Sequence, residues 1–104
     1  MSRVEGLRLE HTADALGIGV ASPRLSWALS GEQPQHAYEI DVRFTGSDEA
    51  STVIVESQDS LFQPWPVRPL RSREAADVRV RAHLADDGGP SDWSETVRVE
   101  AGLL

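Results

Sequence analysis

Apolar and polar residues alternate with a period of two through most of this 104-residue chain. The alternation is clearest in the stretch 72–100, where the residues predicted to face inward are Val78, Val80, Ala82, Leu84, Val97 and Val99. Successive side chains of a strand point to opposite faces, so two alternating runs around a turn at 86–90 predict a β-hairpin with one face in a core. No segment of useful length has apolar residues at helical spacing, and the pattern therefore predicts an all-β protein.

Three earlier strands are predicted from the same alternation. Their inward-facing residues are Val4, Leu7 and Leu9 in the first, Leu25, Trp27 and Leu29 in the second, and Tyr38, Ile40, Val42 and Phe44 in the third. Pro23 opens the second strand, where its missing amide costs least. Glu39, Asp41 and Arg43 occupy the other face of the third strand, which predicts one core face and one solvent face. A short β-branched strand is predicted at 52–57.

Two segments interrupt the alternation. Residues 15–19 are predicted to form a loop, because Gly17 and Gly19 permit tight backbone turns. Residues 58–69 contain three prolines and are predicted to run as an extended edge segment, because proline cannot serve a central ladder.

The number and spacing of these elements indicate a fold class. About seven strands, with turns about every 8–12 residues, are typical of an immunoglobulin or fibronectin type III-like β-sandwich of two antiparallel sheets. With 39% hydrophobic residues, the chain can close one core of ordinary size. Residues 1–104 are therefore expected to form a single domain.

Charge and cysteine content narrow the classes of partner. The formal net charge is −7, and every one of the ten cationic Lys or Arg positions is arginine. An acidic surface without a basic stripe repels phosphate, so neither nucleic acid nor an anionic membrane is an expected partner. Cysteine is absent, which is compatible with the cytosol and with secretion. The N-terminus has no basic-then-apolar leader and no apolar run approaches about 18 residues, which favours a soluble, cytoplasmic protein.

Candidate catalytic and metal-binding groups do not form a constellation. Hydrolysis of a glycosidic bond needs two carboxyl groups around a cleft, one of them with a raised pKa. The obvious pairs are Asp48 with Glu49 and Asp86 with Asp87, and the histidines are His11, His36 and His83. Both carboxylate pairs lie in predicted turns, which favour aspartate for its bonds to backbone amides, and the histidines lack metal-site spacing. We therefore predict no catalytic residue, metal ligand or cofactor site.

The three tryptophans are the candidates for contact with a ligand or partner, because exposed indoles can stack on sugars. Trp27 is in phase with the core positions of its strand and is predicted to be buried. Trp93, in a Ser-Asp-Trp-Ser motif, is predicted to pack over the last hairpin within cation–π range of arginines. Trp65 lies between two prolines and near Phe62, without alternation to bury it, and is expected to be exposed. Trp65, Phe62 and Trp93 are the candidate residues for contact with sugar or a neighbouring domain.

The outward face of the predicted hairpin carries Arg79 and Arg81. They are expected to face Glu39 and Asp41 on one neighbouring strand and Glu100 on the other. Such pairs contribute about 0.2–1 kcal/mol each and specify register more than stability. An anion-binding arginine patch is the functional alternative, but acids are interleaved on the same face.

Short motifs in a fixed order resemble those of a known family. They are Glu10, Leu16-Gly17-Ile18, residues 23–27, residues 35–40, residues 69–73, Arg79-Val80-Arg81, Ser91-Asp92-Trp93-Ser94 and residues 100–104. Together they resemble the N-terminal fibronectin type III-like domain of bacterial α-L-rhamnosidases over nearly the whole chain. The sequence departs from that pattern at 76–78, where the family usually has aromatic residues. The resemblance implies a module of a larger glycoside hydrolase whose catalytic acids lie in a separate helical barrel, so this chain is not expected to be an enzyme.

Three functions follow from these observations as alternatives. The first is a non-catalytic accessory module that packs against and positions the catalytic domains, with the other domains of the parent enzyme as partners. The second is a carbohydrate-binding module that stacks rhamnose-containing sugar on Trp65. The third is a protein-interaction domain, suggested by the Ser-x-Trp-Ser corner.

Overall fold

The computed structural model describes residues 3–10, 15–31, 34–47, 50–85 and 89–103, and within these residues it contains strands and no helix. The strands are β1 (Arg3–Leu9), β2 (Ala15–Ile18), β3 (Leu25–Ser30), β4 (Gln35–Phe44), β5 (Ser51–Val55), β6 (Ala75–Leu84), β7 (Gly89–Pro90) and β8 (Val97–Ala101). Seven of them are longer than two residues, and they form two sheets. The predicted all-β immunoglobulin-like sandwich is confirmed. Over the described ranges, no helix has the length and apolarity required to cross a membrane.

The smaller sheet is formed by β1 and β3, which pair antiparallel. The prolyl segment that follows β5 extends this sheet: Leu25 exchanges two backbone hydrogen bonds with Gln63, of 2.9 and 2.8 Å. The Trp27 N–H also donates to the Ser60 carbonyl at 2.9 Å. The predicted edge position is therefore confirmed at Gln63, which pairs with Leu25, whereas Phe62 has a φ of 52° and is not extended.

A bulge in β1 explains how residues of different phase reach the core together. Val4, Leu7 and Leu9 are all buried, although Val4 and Leu7 would face opposite sides of a regular strand. The pairing register with β3 shifts between Glu5 and Arg8, and Gly6 within this interval has a φ of 60°. The extra residue in β1 reverses the face to which the following side chains point, so both halves of β1 bury their apolar residues.

The larger sheet has the order β2-β8-β6-β4-β5, and β7 pairs with β6 off this path. Its centre is the long antiparallel pair of β4 and β6, in which Ile40 lies opposite Val80 and Val42 opposite Val78. From Ala76 onward β6 alternates buried and more exposed residues as predicted, whereas in β4 residues 37–40 are buried on both faces. The four side chains named above are completely buried. The register of this pair fixes which outward side chains meet.

The prediction of a loop at 15–19 is wrong, because residues 15–18 form β2. This strand pairs parallel with β8, with Ala15 opposite Val99 and Ile18 opposite Ala101. Without β2, the outer edge of β8 would be a row of unpaired backbone groups, so tertiary context outweighs the local preference of the glycines. The two strands consequently run in the same direction and end side by side.

The core lies between the sheets and is built around Trp27. This indole is 2% exposed, makes an edge-to-face contact with Tyr38 at 4.8 Å between ring centroids, and donates its N–H to Gln35 Oε1 at 3.1 Å. Gln35 in turn donates to the carbonyls of Ser57 and Asp59. The prediction that Trp27 is a core residue is confirmed, and its polar atom is satisfied inside the core as burial requires.

Candidate functional site

The outer face of the β4–β6 pair carries alternating arginines and carboxylates. Glu39 lies opposite Arg81 and Asp41 opposite Arg79. Each arginine donates its Nε–H to its facing carboxylate at 2.9 Å. The guanidinium carbons of Arg79 and Arg81 lie 4.2 and 4.5 Å from the centre of the Trp93 ring. The predicted cross-strand pairs and the cation–π contact are confirmed, and we call these five residues the arginine–tryptophan face.

Glu39 is more enclosed than the prediction of a solvent face implies. It is 6% exposed, and its Oε1 atom contacts both Arg81 Nε and His83 Nε2, the latter at 3.0 Å. Burial raises the pKa of this carboxyl, but the hydrogen bonds from Arg81 and His83 outweigh it and hold the pKa below its ordinary value. The group is therefore an ionised partner of two donors, which is the opposite of a general acid with a raised pKa.

Two serines attach the Trp93 segment to the edge of β6. The Ser94 N–H donates to the Val80 carbonyl at 2.8 Å, and the Val80 N–H donates to Ser94 Oγ at 3.0 Å. Ser91 repeats both bonds with Ala82, at 2.7 and 3.0 Å. Each hydroxyl replaces the carbonyl that a regular strand would offer. Because Trp93 lies between these two attachments, its ring is fixed over the arginines of β6.

The expected contact of Glu100 with Arg79 and Arg81 is wrong. The antiparallel register of β6 and β8 places Glu100 opposite Ala75, and the pairing of the two strands ends at Val78. Beyond that point the edge of β6 is occupied by the segment at 91–94 that the serines attach. Trp93, rather than an acid, therefore borders the arginines on this side.

The prediction that Trp65 is exposed is wrong. The residue is 8% exposed and belongs to the core cluster, and its indole N–H donates to the Arg68 carbonyl at 2.8 Å. The neighbouring prolines carry no N–H that burial would leave without a partner, so this segment can bring the indole into the core. Alternation in sequence reports burial only inside strands, and it carries no information about a tryptophan in such a segment.

A second arginine cluster, which the sequence reasoning missed, follows Trp65. Arg68 makes a bidentate pair with Glu74, with both N–O distances 2.8 Å, and its guanidinium carbon lies 3.9 Å from the centre of the Phe44 ring. The bond from Arg68, assisted by the Arg71 N–H, lowers the pKa of Glu74 to about 2. This cluster holds the turn that leads into β6.

Phe62 is the candidate contact residue with the most exposed ring. It is 44% exposed, has a φ of 52°, and has the Arg24 guanidinium carbon 4.9 Å from its ring centre. Its N–H donates to Ser26 Oγ at 2.9 Å, and Arg24 is held by two bonds from its backbone N–H and guanidinium to the Glu10 carboxylate. A left-handed backbone conformation is uncommon for a bulky residue, so these contacts fix the position of the ring.

An open polar depression lies next to the arginine–tryptophan face. Its volume is about 290 Å³, and it is lined by Asp41, Arg43, Asp77, Arg79 and Thr96. Asp41 is already bonded to Arg79, and Asp77 lies 3.7 Å from Arg98. Both acids are thus engaged by arginines.

The remaining candidate groups do not add chemistry to this face. Among the described residues, no group of three His, Cys, Asp or Glu side chains is arranged to hold a metal ion. The turn carboxylate pairs at 48–49 and 86–87, and His11, lie outside the described residues. His36 lies on the outward face of β4 near His83, with 6.4 Å between the ring centroids.

Comparison with known proteins assigns the chain to a family. Residues 4–104 match the family described as the Rha78A-like, N-terminal immunoglobulin domain. An α-L-rhamnosidase of Streptomyces avermitilis is 34% identical over 110 residues, which cover 98% of this chain and 11% of that protein. The matched part is the N-terminal immunoglobulin domain and not the catalytic region.

Solved structures agree with this assignment. The crystal structure of native α-L-rhamnosidase from Aspergillus terreus matches all of this chain with 12% of its own, at a TM-score of 0.92 and 43% identity. The Streptomyces avermitilis enzyme complexed with L-rhamnose matches 98% of this chain with 11% of its own, at a TM-score of 0.80 and 34% identity. A myokine structure with a TM-score of 0.72 and 15% identity shows the fold alone. This chain belongs to the family of N-terminal immunoglobulin domains of Rha78A-like proteins, and it spans about a ninth of the rhamnosidases that it matches.

Proposed function

We propose that this domain is a non-catalytic module that packs against and positions the catalytic parts of an α-L-rhamnosidase-like enzyme. The observation that carries the proposal is the match to the Aspergillus terreus enzyme, which covers the whole of this chain but only 12% of that protein. The matching domain of that enzyme has the same fold, at a TM-score of 0.92, and is part of a much longer chain. Such a domain can act on the rest of the chain through contacts made by its rigid outer surface.

The chemistry of the described surface supports a structural role. The carboxylates of the arginine–tryptophan face are bonded to arginines, and among the described residues no buried side-chain nitrogen or oxygen lacks a hydrogen-bond partner. Fully paired polar groups stiffen a domain and specify a single arrangement. Such a domain is suited to hold a neighbour in a fixed position.

The proposed contacts fall on exposed side chains and no longer on Trp65. The carbohydrate-binding alternative rested on an exposed indole at Trp65, and that ring is buried in the core. Trp93 is covered by two arginines on the arginine–tryptophan face, so we assign it the role of fixing that face. Phe62 remains exposed and is proposed as a contact with a neighbouring domain.

The proposal is tested in the Aspergillus terreus enzyme. Three proteins are compared: the intact enzyme, the enzyme without its N-terminal domain, and a chimera in which this 104-residue chain replaces that domain. We expect removal of the domain to accelerate thermal inactivation by on the order of tenfold or more, and the chimera to recover most of the loss. Hydrolysis of an aryl rhamnoside measures the remaining activity, and the isolated chain is expected to have none.

Two results would overturn the proposal. Equal inactivation rates for the intact and shortened enzymes would show that the domain does not support the catalytic parts. Hydrolysis by the purified 104-residue chain would show that it is itself catalytic.

A further inference from the structure

Exposed large apolar side chains are few on the described surface, and two of them lie at one end of the sandwich. The exposed large apolar residues are Val20, Ile54, Leu61, Phe62 and Leu103. Leu103 has the highest exposed fraction of these, 74%, and Val20 is 41% exposed. Burial of such groups removes apolar area from water, so a pair of them at one place is a candidate contact surface.

The parallel pairing of β2 and β8 brings Val20 and Leu103 to the same end. Ile18 lies opposite Ala101 at the end of this pair, and the two strands run in the same direction. Val20 and Leu103 each follow two residues beyond this pair. The prediction of a loop in place of β2 concealed this relation, because only the paired strand fixes where Val20 lies.

The turn before β6 connects the two strand ends and adds two cations. The Leu70 N–H donates to the Ala21 carbonyl at 2.7 Å, and the Arg73 N–H donates to the Gly102 carbonyl at 3.0 Å. Arg71 and Arg73 are therefore close to the backbone that carries the exposed apolar pair. We call Val20, Leu103, Arg71 and Arg73 the terminal surface.

The cations of the terminal surface differ from Arg68, the other arginine of the turn. Arg68 is committed to Glu74 and Phe44, whereas the side chains of Arg71 and Arg73 are exposed. Arg71 adds a charge interaction with Glu74, but within the part of the chain that the structure describes neither residue makes an ion pair at contact distance. Arg73 also has a φ of 61°, a left-handed conformation that costs backbone free energy in a residue with a Cβ. Exposed guanidinium groups beside apolar side chains are locally complementary to an apolar patch bordered by carboxylates.

The relatives indicate which partner reaches this end. Their matching domain is N-terminal, and most of each chain lies outside it. In a protein of that architecture, the chain leaves the domain where β8 ends, which is the terminal surface. We propose that the terminal surface docks the adjacent domain of a rhamnosidase-like parent, through an apolar patch on that domain bordered by carboxylates. This inference rests on the proposed function and adds the contact surface to it.

The decisive experiment introduces charges into the terminal surface of the Aspergillus terreus chimera. The variant Val20→Asp/Leu103→Asp places two carboxylates where the docking surface requires apolar contact. The matched control is Ile54→Asp, because Ile54 is 62% exposed and lies on the β5 edge away from β8. We expect the double variant to inactivate thermally on the order of tenfold faster than the parent chimera, and the control within about twofold of it.

A second pair of variants tests the cations without placing a charge in the apolar pair. Arg73→Gly relieves the left-handed backbone and removes the guanidinium, so the isolated chain should melt at the same temperature or higher while the chimera inactivates faster. Arg71→Glu replaces a cation with an anion and should weaken docking more than Arg73→Gly does, because the expected partner patch is bordered by carboxylates. Both effects should decrease at high salt, since exposed charges are screened.

The outcomes separate this inference from the proposed function. The inference is overturned if the terminal variants match the parent chimera, or if Ile54→Asp causes the larger loss. In that case, a difference between the intact and shortened enzymes would still support the accessory role through another surface. Equal stability of those two enzymes would instead overturn the proposed function and this inference together. The melting temperature of each isolated variant excludes unfolding of the domain as the cause.

Discussion

The arginine–tryptophan face and the terminal surface both contain exposed or half-buried arginines, but they use them differently. On the first, Arg79 and Arg81 each bond a facing carboxylate and contact the Trp93 ring. On the second, Arg71 and Arg73 are exposed and lie near an exposed apolar pair. The polar groups of the first surface are satisfied by contacts within the domain, whereas the second surface leaves two apolar side chains and two guanidinium groups exposed to solvent.

This difference teaches how an arginine should be interpreted in such a domain. The sequence Arg-Val-Arg is the more conspicuous motif, yet the register of β4 and β6 supplies an acid for each of its cations. Arg71 and Arg73 are less conspicuous, since they lie in a turn without alternation. Pairing across the sheet, rather than the number of arginines in a segment, therefore decides which surface is available to a partner.

The largest expected effect is on the arginine–tryptophan face. Trp93→Ala removes a half-buried ring and two cation–π contacts, and it should lower the free energy of unfolding of the isolated chain by about 2–3 kcal/mol. Trp93→Phe keeps part of the contact area and should lose less. Denaturant unfolding measures both variants. If Trp93→Ala were as stable as the parent, this face would not be held together by its own contacts. The contrast drawn between this face and the terminal surface would then be wrong.

An intermediate effect is expected at the serines that fix Trp93. Ser94→Ala removes the acceptor of the Val80 N–H, which is buried, and leaving that donor without a partner should destabilise the domain by about 1–2 kcal/mol. Ser91→Ala should act similarly through Ala82. Ser22, which is exposed, provides the control, and Ser22→Ala should change stability by less than about 0.5 kcal/mol. Equal losses at all three serines would mean that the two attachments are not specific.

The smallest effect is expected from acid, through Glu74 in the turn beside the terminal surface. Its pKa is lowered from 4.5 to about 2 in the folded domain, so its ion pair stabilises the domain fully above about pH 4.5 and is lost as the pH falls toward 2. For a partly exposed pair the loss should be about 1 kcal/mol. Glu74→Gln should flatten this part of the curve, although Glu39, whose pKa is also lowered, keeps some acid dependence. Identical pH dependence of parent and variant would contradict the assignment.

Sequence reasoning was most successful where burial follows strand alternation. Trp27 is in phase with its strand and lies in the core as predicted. Arg79 and Arg81 contact two of the three acids predicted for them, Asp41 and Glu39, because the outward positions of neighbouring strands follow from the same period. Glu100 was misplaced because the register at a strand end depends on backbone attachments, here those of Ser91 and Ser94, that local pattern does not encode.

The segments without alternation could not be predicted in the same way. Trp65 joins the core cluster from the prolyl segment, and β2 forms by pairing with the edge of β8. Both depend on distant parts of the chain. The terminal surface follows from the pairing of β2 with β8. The sequence therefore directed attention to Trp65, Phe62 and Trp93, whereas the structure removes Trp65 and adds Val20 and Leu103.

The most direct test of the account is amide hydrogen exchange on the terminal surface. Exchange is measured for the isolated 104-residue chain and for the same chain within the Aspergillus terreus chimera. The account predicts slower exchange in the chimera at 20–22, 70–73 and 102–103, with little change at 51–55 on the β5 edge. Unchanged exchange at the terminal surface, or protection confined to the β5 edge, would contradict the claim that this end of the domain positions the rest of the enzyme.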